Sequence, residues 1–83
     1  MKNNASQIKE LLFAELSEKY GWDEQYLSLD LIEDKTAKSI LKHININVAH
    51  QSIIVAINKE ISSLEATVKD NDEVAFMPIF TGG

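Results

Sequence analysis

Apolar residues cluster in short blocks along the chain, and their spacing separates strands from helices. Gln7 to Ala14 is a short, largely apolar block that predicts a strand, although Glu10 blurs its alternation. Glu15 to Tyr20 predicts one or two helical turns, closed by Gly21 in the left-handed cap position. From Tyr26 to Leu31 apolar and polar residues alternate, which predicts a half-buried strand with Leu27, Leu29 and Leu31 on one face. The period then changes. Ala37, Ile40, Leu41 and Ile44 stand at i, i+3, i+4 and i+7 and so share one face of a helix. Thr36 or Asp34 can supply its N-cap oxygen, while Lys42 and His43 suit the negative end of its dipole.

Asn45 to Gln51 reads as a connection. The β-branched run Ile53 to Ile57 predicts a strand covered on both faces. Asn58-Lys59 is a tight turn into the short strand Glu60-Ile61-Ser62, and Lys69-Asp70-Asn71-Asp72 is a second turn of the same chemistry. Glu73 to Met77 is the last strand, stopped by Pro78, which has no N–H to give to a ladder. Parity places Ala75 and Met77 outward if Val74 and Phe76 face the core. The main helix must bury its single apolar stripe on the sheet, which predicts a two-layer α+β domain. One main helix across a mixed sheet of four or five strands is the β-grasp arrangement of ubiquitin. The expected organisation is a frayed extension over 1–6, a β-grasp domain over 7–77 and a flexible tail over 78–83.

Composition narrows what such a domain can do. The 83 residues are enough for one core, and 45% hydrophobic with 25% charged residues is too apolar for intrinsic disorder. Thirteen acidic against eight basic residues leave a charge of −5, which argues against nucleic acid and anionic membrane surfaces as partners. There is no cysteine, hence no disulfide, thiolate nucleophile or zinc knuckle. No apolar run approaches the roughly 20 residues of a membrane span, and the start offers no signal-peptide stretch, so the expected location is cytoplasmic.

Candidate chemistry is sparse. His43 and His50 lack the i, i+4 spacing of a helical metal pair, and no metal site is expected. Trp22 fits packing at a loop, and Asp70, Asp72 and Glu73 fit turn chemistry because they lack the spacing of a calcium loop. What remains is Thr81-Gly82-Gly83. A terminal Gly-Gly arises by chance in about 0.5% of chains. Five residues beyond Pro78 can reach roughly 17 Å, and glycines can thread a narrow channel to present an α-carboxylate that ATP can activate. An unstructured polar tail is the alternative reading.

The segment Asp70-Asn71-Asp72-Glu73-Val74-Ala75-Phe76-Met77-Pro78-Ile79-Phe80-Thr81-Gly82-Gly83 closely resembles the C-terminal signature of the molybdopterin synthase small-subunit family, D-G-D-E-V-A-F-x-P-P-V-x-G-G. Ile8 to Ala14 is similar to that family's first strand, I-K-V-x-x-F-A, and Ala56-Ile57-Asn58-Lys59 to its A-V-N strand and turn. Asn71 stands where the family has a turn glycine and Ile79 where it has a second proline. The resemblance implies a ubiquitin-like sulfur carrier that is not itself an enzyme and binds no cofactor. Its Gly83 carboxylate would be adenylated with ATP by a ubiquitin-activating-like adenylyltransferase, and a sulfur donor would convert it to a thiocarboxylate. Thr81 and Gly82 would enter the large synthase subunit, which holds the catalytic side chains, and sulfur would pass to cyclic pyranopterin monophosphate. The family's docking patch carries over to Phe13, Ile61 and Met77, and two small with two large subunits would form a heterotetramer. A carrier for thiamine synthesis or tRNA thiolation, a ubiquitin-like modifier, and a plain interaction module share the fold and stay open at this point.

Overall fold

In a computed structural model, residues 7–46 and 53–79 are described. The extension expected over 1–6, most of the Asn45–Gln51 connection with His50, and Thr81, Gly82 and Gly83 lie outside them. Among the described residues the strands form one mixed sheet. They are β1 (Gln7–Leu12), β2 (Glu24–Ser28), β3 (Ile53–Ile57), β4 (Glu60–Ser62) and β5 (Glu73–Pro78), in the order β2-β1-β5-β3-β4. β1 and β5 run parallel, from Lys9↔Glu73 to Leu12↔Phe76, and the remaining pairs are antiparallel. The helices α1 (Glu15–Tyr20) and α2 (Ala37–His43) contribute Leu16, Ala37, Ile40 and Leu41 to the same core as Ile8, Leu12, Val55 and Phe76. This is the β-grasp arrangement expected from the order of elements, with five strands.

Local chemistry explains each turn. Asn58 and Lys59 both have positive φ, at 53° and 72°, as a two-residue hairpin between twisted strands requires. Gly21 closes α1 at φ 84° with its N–H on the Ser17 carbonyl at 2.9 Å. Thr36, and not Asp34, caps α2: its Oγ1 accepts from the Ser39 N–H at 3.2 Å. The next two orphan donors of that helix end, Ala37 and Lys38 N–H, go to the carbonyls of Ala66 and Leu64 in the connection after β4. That connection also buries Val68 fully, a core residue that no periodic block announces.

The structure corrects the sequence reading in three places. The strand expected over Tyr26–Leu31 stops at Ser28, and Leu29–Leu31 form a 3₁₀ turn. At three residues per turn, Leu29 and Ile32 share the inward face, so both are buried while Leu31 is 65% exposed. The first strand ends at Leu12, short of Ala14, because Ala14 adopts φ 54° and turns the chain into α1. Finally, β3 is covered on one face only: Ile53 and Val55 are in the core, whereas Ile54 on the other face is half-buried.

Glu10 falls in step with Ile8 and Leu12 and shares their inward face; it is 0% exposed. Its Oε1 accepts from Gln25 Nε2 at 2.8 Å across the β1–β2 pair, and its Oε2 has no partner. Burial raises its pKa above the usual carboxylate value, opposed by the Gln25 hydrogen bond and by the charge of His43 at the end of α2. A folded-state pKa above the unfolded one favours the native state most at low pH. That contribution is complete below the unfolded value and is lost as pH rises through the folded one. Glu10→Gln should therefore gain stability relative to the unaltered chain between pH 4 and pH 7. Urea unfolding at the two pH values checks this, and a pH-independent difference would show that folding leaves the pKa of the carboxyl unshifted.

Candidate functional site

Strand register builds the face of the sheet opposite the helices. Leu11 pairs with Ala75, Ala75 with Ala56 and Ala56 with Ile61, so these four form one row across β1, β5, β3 and β4. Met77 and Ile54 pair one step further along on the same face. Phe13 continues the Leu11 parity just beyond β1, where its N–H still donates to the Phe76 carbonyl at 3.1 Å. It therefore follows Leu11 onto the open face as Met77 follows Ala75. The three residues assigned to a docking patch, Phe13, Ile61 and Met77, thus share one face.

That face is apolar and shaped. Ile61 is 72% and Phe13 45% exposed, and Met77 is half-buried, whereas Ala75 and Ala56 in the middle are only 5% and 6% exposed. Small side chains on the central strands flanked by larger ones give a shallow saddle. An apolar surface of this kind, on a face that carries neither helix, is the signature of a surface that meets another protein. Sequence parity on β5 found Ala75 and Met77, but Leu11, Ile54 and Ala56 could be added only once the cross-strand register was known.

The geometry of the chain's exit follows from the parallel β1–β5 pair. Both strands end at the same edge of the sheet, β1 at Leu12 and β5 at Pro78. The carbonyls of Asp72 and Phe76 turn toward β1, accepting from Lys9 and Phe13. Backbone groups alternate along a strand, so the nitrogen of Pro78 is aimed the same way, past the end of β1. The Phe13 carbonyl there already accepts from Leu16 N–H at 3.1 Å. Proline therefore removes no ladder bond at this position. Ile79 follows Pro78 and is exposed. The sulfur-carrying role expected of Gly83, and the insertion expected of Thr81 and Gly82, fall on residues outside those described.

The other candidates resolve simply. His43 is exposed at the end of α2, and His50 lies outside the described residues. Among the described residues no three His, Asp or Glu converge in a way that could hold a metal ion. Trp22 is half-buried against the core. Asp70 and Asp72 are turn residues whose carboxylates bind Gln7 N–H, Lys69 N–H and the Asn58 side chain, each at 2.8 Å.

The sequence profile of the ThiS family matches residues 11–83, the whole chain from the end of β1 onward. The chain belongs to the ThiS family. Two curated relatives carry the name molybdopterin synthase sulfur carrier subunit. The one from Dictyostelium discoideum is 35% identical, over 95% of this chain and 99% of that protein. The one from Haemophilus influenzae is 34% identical, over 88% and 95% respectively. Among solved structures, small archaeal modifier protein 1 from Haloferax volcanii superposes with a TM-score of 0.73 at 22% identity, covering 90% of this chain and 99% of that one. That likeness speaks to the fold. Within the ThiS-family chain, the match takes in the open-face residues Leu11, Phe13, Ile61 and Met77 as well as the C-terminal Gly-Gly.

An exposed interaction face and a packed core respond differently to substitution. Ile61→Ser should change the free energy of unfolding by less than about 0.5 kcal/mol. Phe76→Ala, at a fully buried position on the same sheet, should cost about 3–5 kcal/mol. Denaturant titration distinguishes them, and a large loss for Ile61→Ser would show that its side chain is part of the fold.

Proposed function

We propose that this chain is the sulfur carrier subunit of a molybdopterin synthase. The observation that carries the proposal is the identity to two sulfur carrier subunits of that name over nearly their full lengths, with a family match that runs through Gly83. The geometry supports it, because the parallel β1–β5 pair brings the end of β5 at Pro78 to the end of the sheet that carries the exposed Phe13 of the apolar face.

In this reading the chemistry is carried by the main chain. The Gly83 carboxylate attacks the α-phosphorus of ATP in an adenylyltransferase related to ubiquitin-activating enzymes, and pyrophosphate leaves. A sulfur donor then attacks the acyl carbon, AMP leaves, and a C-terminal thiocarboxylate remains. Glycines at the last two positions offer no side chain to block a narrow channel, so Thr81 and Gly82 carry the terminus into the large subunit. There the sulfur is transferred to cyclic pyranopterin monophosphate, two transfers building one dithiolene, with the catalytic side chains supplied by the large subunit. Phe13, Ile61 and Met77 form the docking surface. The chain itself binds no cofactor; ATP belongs to the activating step.

Incubation with the activating enzyme, ATP and a sulfur source should shift the intact mass by the exchange of one oxygen for sulfur. An unchanged mass would remove the carrier reading, and a mass corresponding to attachment through a lysine would replace it with a modifier. Deleting Gly83 should abolish pterin thiolation with no change in thermal unfolding. Met77→Lys should weaken binding to the large subunit about tenfold or more, because it places a charge at the centre of an apolar contact. Equal affinity would take Met77 out of the interface.

A further inference from the structure

Next to Phe13, on the side away from Met77, the surface is concave. The start of β2, the end of β1 and helix α1 enclose a groove of about 430 Å³. Leu11, Phe13 and Ala14 line it with apolar atoms, and Glu18, Asp23 and Glu24 line it with carboxylates. Glu24 lies 3.9 Å from Lys9, whereas among the described residues nothing forms a hydrogen bond or ion pair with the side chains of Glu18 and Asp23. Lys19, one residue along α1, sits 5.6 Å from the centroid of the Tyr20 ring.

The groove is continuous with the open face through Leu11 and Phe13, which belong to both. It also lies at the end of the sheet where β1 and β5 stop: Leu12 pairs with Phe76, its N–H donates to the Asp23 carbonyl, and Leu11 pairs with Glu24. A protein that covers Leu11 and Phe13 therefore also meets the groove they line. Its charge then selects what enters. With no three acidic or histidine ligands converging among the described residues, the carboxylates are too spread for a bare metal ion. They suit an organic cation on an aliphatic stem, whose methylenes lie on apolar atoms while its head reaches the rim.

We propose that this groove receives a lysine or arginine side chain of the large subunit that accepts the tail, with Glu18 and Asp23 as its counter-charges. The inference rests on the sulfur-carrier reading above and adds to it a polar recognition element beside the apolar patch. Charges at the rim of an interface act mainly on the rate of association and on its salt dependence.

Stopped-flow association of the full chain with its large subunit tests this, using E18Q, D23N and the double variant at low and high salt. E65Q, the same change of charge in the connection after the opposite edge strand β4, serves as the control. Each groove variant should slow association about threefold at low salt and the double variant about tenfold, with the differences fading at high salt and thermal unfolding unchanged. Rates equal to the unaltered chain would overturn the groove as a docking element. A loss matched by E65Q would overturn it equally, since net charge alone would then explain the effect. Slowing confined to the adenylyltransferase would overturn the assignment to the large subunit. Failure of the unaltered chain to bind the large subunit would overturn the functional reading and this inference together.

Discussion

The parallel pairing of β1 with β5 is the constraint on which the rest of the molecule depends. It joins residues 9–12 to residues 73–76, nearly the full length of the described chain, and every other element is crossover between them. The entropic cost of closing so long a loop grows only slowly with its length, but it must be met before the non-local contacts of this pair can reward it. A compact hydrogen-bond hub helps to hold the pair in register. Asp70 binds Gln7 N–H, Asn71 N–H donates to the Gln7 carbonyl at 2.7 Å, and Lys9 N–H donates to the Asp72 carbonyl. Asp72 also binds the side chain of Asn58, whose own oxygen accepts from Glu73 N–H at 3.0 Å. One turn thereby fixes the start of β1, the start of β5 and the β3–β4 hairpin together. Asn71 adopts φ 71° within it, a conformation that asparagine tolerates better than most residues.

Much of this architecture is legible in the sequence because it is written in local chemistry. The i, i+3, i+4, i+7 stripe gives α2, Gly21 gives the end of α1, and the two Asn-containing turns give the hairpin and the hub. What is not legible depends on partners distant in the chain. Leu29 and Leu31 continue a clean alternation, yet the backbone tightens into a 3₁₀ turn that pairs Leu29 with Ile32 and turns Leu31 out. Glu10 interrupts an apolar strand by type but not by position. The strand keeps its period, and the carboxyl is buried with only Gln25 to bind it. Val68 is in the core because its connection crosses the start of α2, which no periodicity records. The docking patch was readable only in part, from parity on β5 and from family resemblance. Parity already placed Ala75 there, and the register adds Ala56 beside it.

The two faces of the sheet answer opposite demands. The inner face carries Ile8, Leu12, Val55, Val74 and Phe76 under two short helices, and this is the core of a small domain. The outer face keeps Leu11, Ile54, Ile61 and Met77 accessible to varying degrees instead of covering them with a further layer. Apolar area left uncovered contributes nothing to folding of the isolated chain, and it becomes available when a partner covers it. Alanine at positions 56 and 75 keeps the centre of that face low, so a partner side chain can seat between Leu11, Met77 and Ile61 without displacing anything.

At the end of β5 the sheet is kept from growing further along the chain. A terminal segment that continued as a strand would be drawn into the sheet by ladder hydrogen bonds, and its carboxylate would be held against its own domain. Two features at the same edge oppose this. β1 ends at Leu12 because Ala14, at φ 54°, diverts the chain into α1, which leaves β5 without a neighbour on that side beyond Phe13. Pro78 then stands where its missing N–H would have faced that vacant side, so it discourages further pairing without removing a bond that the native sheet uses. The same diversion turns Phe13 out onto the surface and opens the acidic groove beside it. The stop in β1–β5 pairing, the exposed Phe13 and the acidic groove therefore all follow from a single break in β1.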